Sequence, residues 1–221
     1  MSPITQSFPT VQGPSFKCPE DMRDHCAKVL AGEYDIGGLE FEEPPYILDV
    51  GANAGSFAVW ASRRWPGARV DCYEPNPEAL KYLRANRHHL HPASAIEPVA
   101  VTSSAIGKAF LRFGLHNLGE ASLYDLGEQQ EDGVEVTCIP ACALPACDIL
   151  KVDKEGGEGG FLVQYLQHIP TASNPRAILL EFHTEDDRVF IDSELRTRGY
   201  SLVRGTICSA TRGTLCWLRR E

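Results

Sequence analysis

Long apolar runs are missing from this 221-residue chain; no stretch approaches the roughly 18 residues needed to span a bilayer. The opening residues, MSPITQSFPTVQGPSF, also lack the basic stretch followed by an apolar run that marks a secretory signal. Both absences point to a soluble chain, expected in the cytoplasm and without a membrane partner. Positive charge is scarce. Lysine and arginine number 21 against 30 aspartates and glutamates, a net charge of −9, so no overall positive field draws in phosphate backbones and nucleic acid is not an expected partner. Eight cysteines are present but no paired CxxC, and Cys138, Cys142 and Cys147 are separated by three and four residues, which excludes a recognisable zinc pattern. A chain of this length builds its own core without a disulfide framework, so the thiols are expected to be reduced and mostly buried. Internal repeats are absent too. What remains, 43% hydrophobic and 23% charged residues, suits one globular domain.

Residues 1–18, rich in Pro, Ser and Thr, read as a mobile N-terminal arm before a single domain over 19–221. A helix is expected over Pro19 to Leu30, with acidic residues in its first turn and Gly32 at its end. From there short apolar runs alternate with helical patterns. YILDV at 46–50, RVDCY at 69–73, residues 95–101, DILKV at 148–152 and AILLEF at 177–182 read as strands. Helices fit Ser56 to Trp65, Pro77 to about Leu90, Phe161 to Ile169 and Asp187 to Arg198. That alternation predicts an α/β fold with a parallel sheet covered by helices. Two departures frame it. Residues 107–138 carry short alternating segments that read as a small β insertion, and YSLVRG with TLCWL reads as a closing antiparallel hairpin.

The sharpest local pattern is DVGANAG at 49–55 followed by Glu74, 23 positions after Gly51 and at the end of the next strand. A turn that brings backbone amides against a ligand needs residues without Cβ, or residues tolerant of left-handed backbone, which fits Gly51, Asn53 and Gly55. A carboxylate at the position of Glu74 can accept from both hydroxyls of a ribose, and Asn76 with Pro77 opens the following helix. A dinucleotide fingerprint needs a third glycine, where this chain has Ser56. The shorter pattern suits an adenosine cofactor without phosphates; with Asp49 able to accept from an ammonium directly or through water, S-adenosylmethionine fits. Competing readings are an NAD-linked oxidoreductase, disfavoured by the missing glycine, and a non-catalytic cofactor- or partner-binding protein.

Four segments in order, ILDVGANAGSFAVWA at 47–61, VDCYEPNPEALKYLRAN at 70–86, DILKVDKEGGE at 148–158 and LLEFH at 179–183, resemble the FkbM-type S-adenosylmethionine-dependent methyltransferases over about residues 30–205. The resemblance implies a Rossmann-like class I methyltransferase fold, with a mostly parallel seven-stranded sheet closed by an antiparallel strand. It implies methyl transfer, most often to an oxygen of a small molecule or sugar. Two features depart from the family. Lys154 stands where an apolar residue is usual, and the GGEGG run at 156–160 is richer in glycine than the usual Gly-Ala-Glu, which should loosen the helix start that positions Glu158.

Lys151, Asp153, Glu155, Glu181 and His183 fall at the C-terminal ends of expected parallel strands, where open α/β sheets bind ligands. His183 is the expected general base, since an ordinary imidazole titrates near 6.5, with Asp153 or Glu155 as the alternative. Lys151 could stabilise a developing alkoxide. The plainer reading has Lys151 and Glu181 as a buried ion pair, with Asp153 and Glu155 capping the next helix. A divalent metal held by Asp153, Glu155, Glu181 and His183 is a further, less favoured alternative. Loops over residues 32–41 and 115–125, carrying Tyr34, Asp35, His116, Asn117, Ser122 and Tyr124, would form the pocket of a small-molecule acceptor or be solvated turns. A homodimer would help to complete such a pocket.

Overall fold

In the computed structural model, which describes residues 6–8, 15–104, 107–114, 116–124 and 129–220, strands and helices alternate from Tyr46 onward. Ahead of them, β1 (Gln6–Phe8) pairs antiparallel with β2 (Phe16–Cys18), and α1 spans Arg23–Leu30. The stretch read as an arm therefore ends in a strand whose Phe16 and Cys18 are fully buried, while residues 1–5 and 9–14 lie outside the described residues. The side chain of Asn86 holds this strand. It accepts from the Lys17 N–H at 2.8 Å and donates to the carbonyls of Lys17 at 2.7 Å and Ala54 at 2.9 Å.

The series continues with β3 (Tyr46–Val50), α2 (Ser56–Arg64), β4 (Arg69–Tyr73), α3 (Pro77–Ala85) and β5 (Ile96–Glu97). The single strand expected over 95–101 is two. Pro98 lacks the N–H that would continue the ladder, and the chain turns there into β6 (Ala100–Thr102), which leaves the main sheet. With β7 (Lys108–Gly114) and β8 (Gln129–Pro140) it forms a three-stranded sheet in the order β6-β8-β7, so the insertion has its own small sheet. The segment ASLYDL adds only a bridge from Ser122 to Arg112. Then follow β9 (Ile149–Val152), α4 (Glu158–His168), β10 (Ala177–Phe182), α5 (Glu185–Thr197), β11 (Tyr200–Ser209) and β12 (Arg212–Arg219).

The main sheet has seven strands in the order β11-β12-β10-β9-β3-β4-β5. From β10 to β5 all neighbours are parallel, and β12 runs antiparallel between β10 and β11, as the closing hairpin predicts. Alternation along the central strands fills two cores. Ile47, Ile149 and Leu179 face one side, packed with Phe57, Trp60 and Leu83 from α2 and α3. Leu48, Leu150 and Leu180 face the other, with Phe161, Tyr165, Ile191 and Leu195 from α4 and α5. Each such side chain, fully buried, contributes about 1.5–3 kcal/mol.

The chain builds outward from β3 to β5 and then returns to β9 on the opposite side of β3. The crevice above the ends of β3 and β9 is therefore the topological switch point, where this class of sheet binds ligands. All eight cysteines are free, six of them buried, with Cys142 half-buried and Cys208 exposed. No helix among the described residues is long and apolar enough to cross a membrane.

Candidate functional site

The turn after β3 is left-handed at Gly51, Asn53 and Gly55, with φ of +78°, +49° and +87°. A Cβ on residue 51 would lie 1.6 Å from the Asp153 carbonyl oxygen, so only glycine lets the turn pass against the end of β9. Asn53 adopts the left-handed region while its side-chain oxygen accepts from the Ala54 N–H at 2.7 Å.

Glu74 is buried at the end of β4, and its two oxygens accept from the Asn53 and Asn76 N–H groups, both at 2.7 Å. Each oxygen keeps a lone pair for a further donor. Burial pushes this carboxyl up to about 7 against the pull of the two N–H groups. The Asn76 side chain caps α3 by accepting from the Glu78 N–H at 3.0 Å.

Gly51, Asn53 and Glu74 line a cavity above the switch point, whereas Asp49, Gly55 and Asn76 lie behind its wall. Asp49 is wholly buried; its neighbour is Lys151, whose Nζ stands 3.2 Å from Oδ1, and neither Asp49 oxygen is hydrogen-bonded. Burial raises the Asp49 pKa, and Lys151 opposes that rise. Lys151 also donates to the Gly51 carbonyl at 2.7 Å and lies 3.6 Å from Asp153. Its partners are thus Asp49, Asp153 and the glycine turn, rather than Glu181. Although burial disfavours its charge, Asp49 and Asp153 hold the ammonium pKa above its ordinary value.

The opposite end of the cavity is lined by Asp153, Glu155, Glu181 and Arg212. His183 is not on the wall. Its Nδ1 is hydrogen-bonded to Glu158 at 3.0 Å, and Nε2 stands 3.1 Å from Glu155 and 4.0 Å from Glu181. Burial disfavours a charge on the ring, yet Glu158 and Glu155 raise its pKa well above the ordinary value. Glu158, in spite of its own burial, is held down at about 2 by His183. The premise for His183 as general base, an ordinary imidazole facing the acceptor, does not match this geometry. Glu181 is pushed up to about 8 by burial and by Asp153, and burial raises Glu155 as well.

Helix α4 begins at Glu158, three residues before the expected Phe161. The glycine run does not unfix Glu158, which accepts from the Gly156 N–H at 2.8 Å. It permits close packing instead: a Cβ on residue 159 would lie 2.7 Å from the Asp187 carboxylate of α5. Lys154 donates to the Gly156 carbonyl and lies 4.7 Å over the Tyr124 ring. Of the expected pocket residues, Tyr34 and Asn117 line the cavity, and Ser122 donates to the Glu155 carbonyl. Asp35 faces Arg64 at 3.8 Å, and the His116 N–H bonds Glu120. Leu115 and Asp125 lie outside the described residues.

Arg212 escapes a reading of local pattern, since it opens β12 just after the turn of the closing hairpin. It stands 3.2 Å from Glu155 and 4.0 Å from Glu181. The signal for it is topological: once β12 pairs antiparallel with β10, setting Gly213 opposite Phe182, that turn must lie at the ligand end of the sheet.

A seven-stranded sheet of this order, with its glycine turn and acidic strand end at the switch point, is the fold of the class I methyltransferases. Among solved structures it is similar to a methyltransferase FkbM from Methylobacillus flagellatus, with a TM-score of 0.60 and 15% identity over 86% of this chain and 47% of that one. It is also similar to magnesium protoporphyrin IX methyltransferase from Synechocystis with bound S-adenosylmethionine, with a TM-score of 0.51 and 12% identity over 91% of this chain and 83% of that one. The chain belongs to the FkbM methyltransferase family, whose domain matches residues 49–202. A relative from Streptomyces tacrolimicus, 31-O-demethyl-FK506 methyltransferase FkbM, is 35% identical over 202 residues, which cover 75% of this chain and 76% of that protein.

Proposed function

We propose that the protein transfers the methyl group of S-adenosylmethionine to a hydroxyl oxygen of a small molecule. The observation that carries this reading is the setting of Glu74. Both its oxygens are fixed by backbone N–H groups, one from Asn53 in the cavity turn and one from Asn76 at the start of α3, so the remaining lone pairs are preorganised for two adjacent hydroxyls. A ribose has such a pair. The name of the Streptomyces relative supports an oxygen as acceptor, and the polar far end of the cavity, lined by Asp153, Glu155, Glu181 and Arg212, offers hydrogen-bond partners to a hydroxylated small molecule.

In this reading the acceptor oxygen attacks the methyl carbon in line with the departing sulfur, and its proton passes to Glu155, which lines the cavity beside Arg212. His183 acts as a positioning residue, with Glu158 on one nitrogen and Glu155 beside the other. Lys151 fixes the cofactor turn relative to Asp153.

Calorimetric titration with S-adenosylmethionine, and separately with NADH, tests the cofactor. One saturable site for the former, lost in Glu74→Ala, is expected; preference for NADH would overturn the reading. For the chemistry, Glu155→Gln should leave S-adenosylmethionine affinity intact and lower kcat by about 10²- to 10⁴-fold. An unchanged kcat would remove Glu155 from the role of base.

A further inference from the structure

We infer that Asp153, Glu181 and His183 form a binding site for a divalent cation of the manganese and magnesium class, set at the acceptor end of the cavity. The three residues come from the ends of two adjacent parallel strands, β9 and β10, and each offers one ligand atom, all within 4.8 Å of one another. An octahedral ion with ligands at roughly 2.2 Å sets neighbouring ligand atoms about 3 Å apart and opposite ones about 4.4 Å apart, so only small side-chain adjustments would be needed.

The second observation is His183 itself. The residue is 6% exposed, and its Nε2 makes no hydrogen bond although Glu155 is 3.1 Å away and Glu181 is 4.0 Å away. It is a buried nitrogen facing the carboxylates of Glu155 and Glu181, where a cation in place of its proton would meet oxygens already gathered around it. Its other nitrogen is bonded to Glu158, so the Nε2 proton, facing Glu155, is the one a cation would displace to leave a lone pair pointing into the cluster. A carboxylate behind a histidine is the usual support of a metal-bound imidazole, fixing tautomer and ring plane. Two carboxylates and one imidazole suit a hard or borderline divalent ion and leave positions for water or acceptor oxygens.

The role of the ion rests on the methyl-transfer reading. Bound there, it would act as a Lewis acid toward the acceptor hydroxyl. The O–H bond breaks with its proton passing to Glu155, and the O–CH3 bond forms as the S–CH3 bond breaks, leaving S-adenosylhomocysteine. Asp153 and Glu181 would then be ligands, and the acceptor would carry a hydroxyl able to enter the ion's coordination sphere.

Mn2+ added to chelator-treated protein and followed by electron paramagnetic resonance tests the site, with S-adenosylmethionine binding measured in parallel. One equivalent of bound Mn2+ is expected, at least about 100-fold weaker in Glu181→Gln and about 10- to 100-fold weaker in Glu158→Gln. Glu74→Ala should lose S-adenosylmethionine and keep Mn2+. Because a cluster variant could fail to fold, wild-type crystals soaked in Mn2+ give an independent readout, an anomalous peak between the three side chains. S-adenosylmethionine binding without stoichiometric Mn2+, or without that peak, would overturn the metal site alone. Mn2+ binding without S-adenosylmethionine binding would uphold the site and overturn the methyl-transfer reading.

Discussion

The two ends of the cavity are built in opposite ways. At the proposed cofactor end, the turn over 51–55 and the carboxylate of Glu74 are joined by backbone N–H groups, and every part comes from the β3-turn-α2-β4 unit and the start of α3. At the proposed acceptor end, Asp153, Glu155, Glu158, Glu181, His183 and Arg212 meet through side chains from the segment after β9, α4, β10 and the residue after it, and the closing hairpin. Backbone-built sites are set by local geometry and vary little with neighbouring side chains. A site assembled from side chains on separate elements can change its chemistry by single substitutions, which is how one fold supports many reactions. Lys151 joins the two ends, touching Asp49 and Gly51 on one side and Asp153 on the other.

The largest break in this comparison should come from that link. Lys151→Met leaves Asp49 buried without a counter-charge, a loss of about 3–5 kcal/mol. Thermal unfolding should show a fall in Tm on the order of 10 °C. The double variant with Asp49→Asn should recover part of it; an unaltered Tm in the single variant would show that the ends are not coupled through this lysine.

Glu74→Ala comes next and should act on one end only. Two hydrogen bonds to a charged group together contribute about 3 kcal/mol, so S-adenosylmethionine should bind at least about 100-fold more weakly, while the loss of the acceptor for the Asn53 and Asn76 N–H groups lowers Tm as well. A smaller effect belongs to pH. With Glu74 at about 7 in the folded chain, S-adenosylmethionine affinity should fall about tenfold from pH 8 to pH 6, the change in the ionised fraction of such a group. The folded pKa is raised above the unfolded carboxyl value, so the folded state takes up this proton first; acidification through this window adds stability from Glu74 and lowers affinity without unfolding. Glu74→Gln should flatten the profile, and a profile that kept its slope in that variant would assign it to another group. The smallest effect is at the acceptor end. Thr184 caps α5 by accepting from the Asp187 N–H at 3.0 Å, and Thr184→Ala should cost about 1 kcal/mol in chemical denaturation while leaving S-adenosylmethionine affinity untouched.

The same contrast explains what could be read from the residues alone. The strand before Gly51, the left-handed Asn53 and the acidic end of β4 were legible because each depends on neighbours in the chain. The sheet and its closing hairpin followed from the alternation of apolar patterns. The state of His183 was not legible: its charge depends on Glu158, 25 positions earlier, and on Glu155. Asp49 looked like a ligand contact because its strand ends in the turn, yet its side chain lies behind the wall against Lys151. The division of residues 95–101 into β5 and β6 was signalled by Pro98, whose effect shows only when the second sheet gives the chain somewhere to go.

Asn86 ties the strand over residues 16–18 to the glycine turn, a link that the sequence of those residues does not announce. One amide fastens the backbone of Lys17 to the carbonyl of Ala54, inside the turn that lines the cavity. Cleavage of the chain just after Cys18 would therefore act at a distance of one side chain from the binding turn, releasing a buckle and uncovering Phe16's side of the core together. For anyone fusing a tag or trimming the protein, the cut belongs before residue 6, ahead of the strand that pairs with residues 16–18.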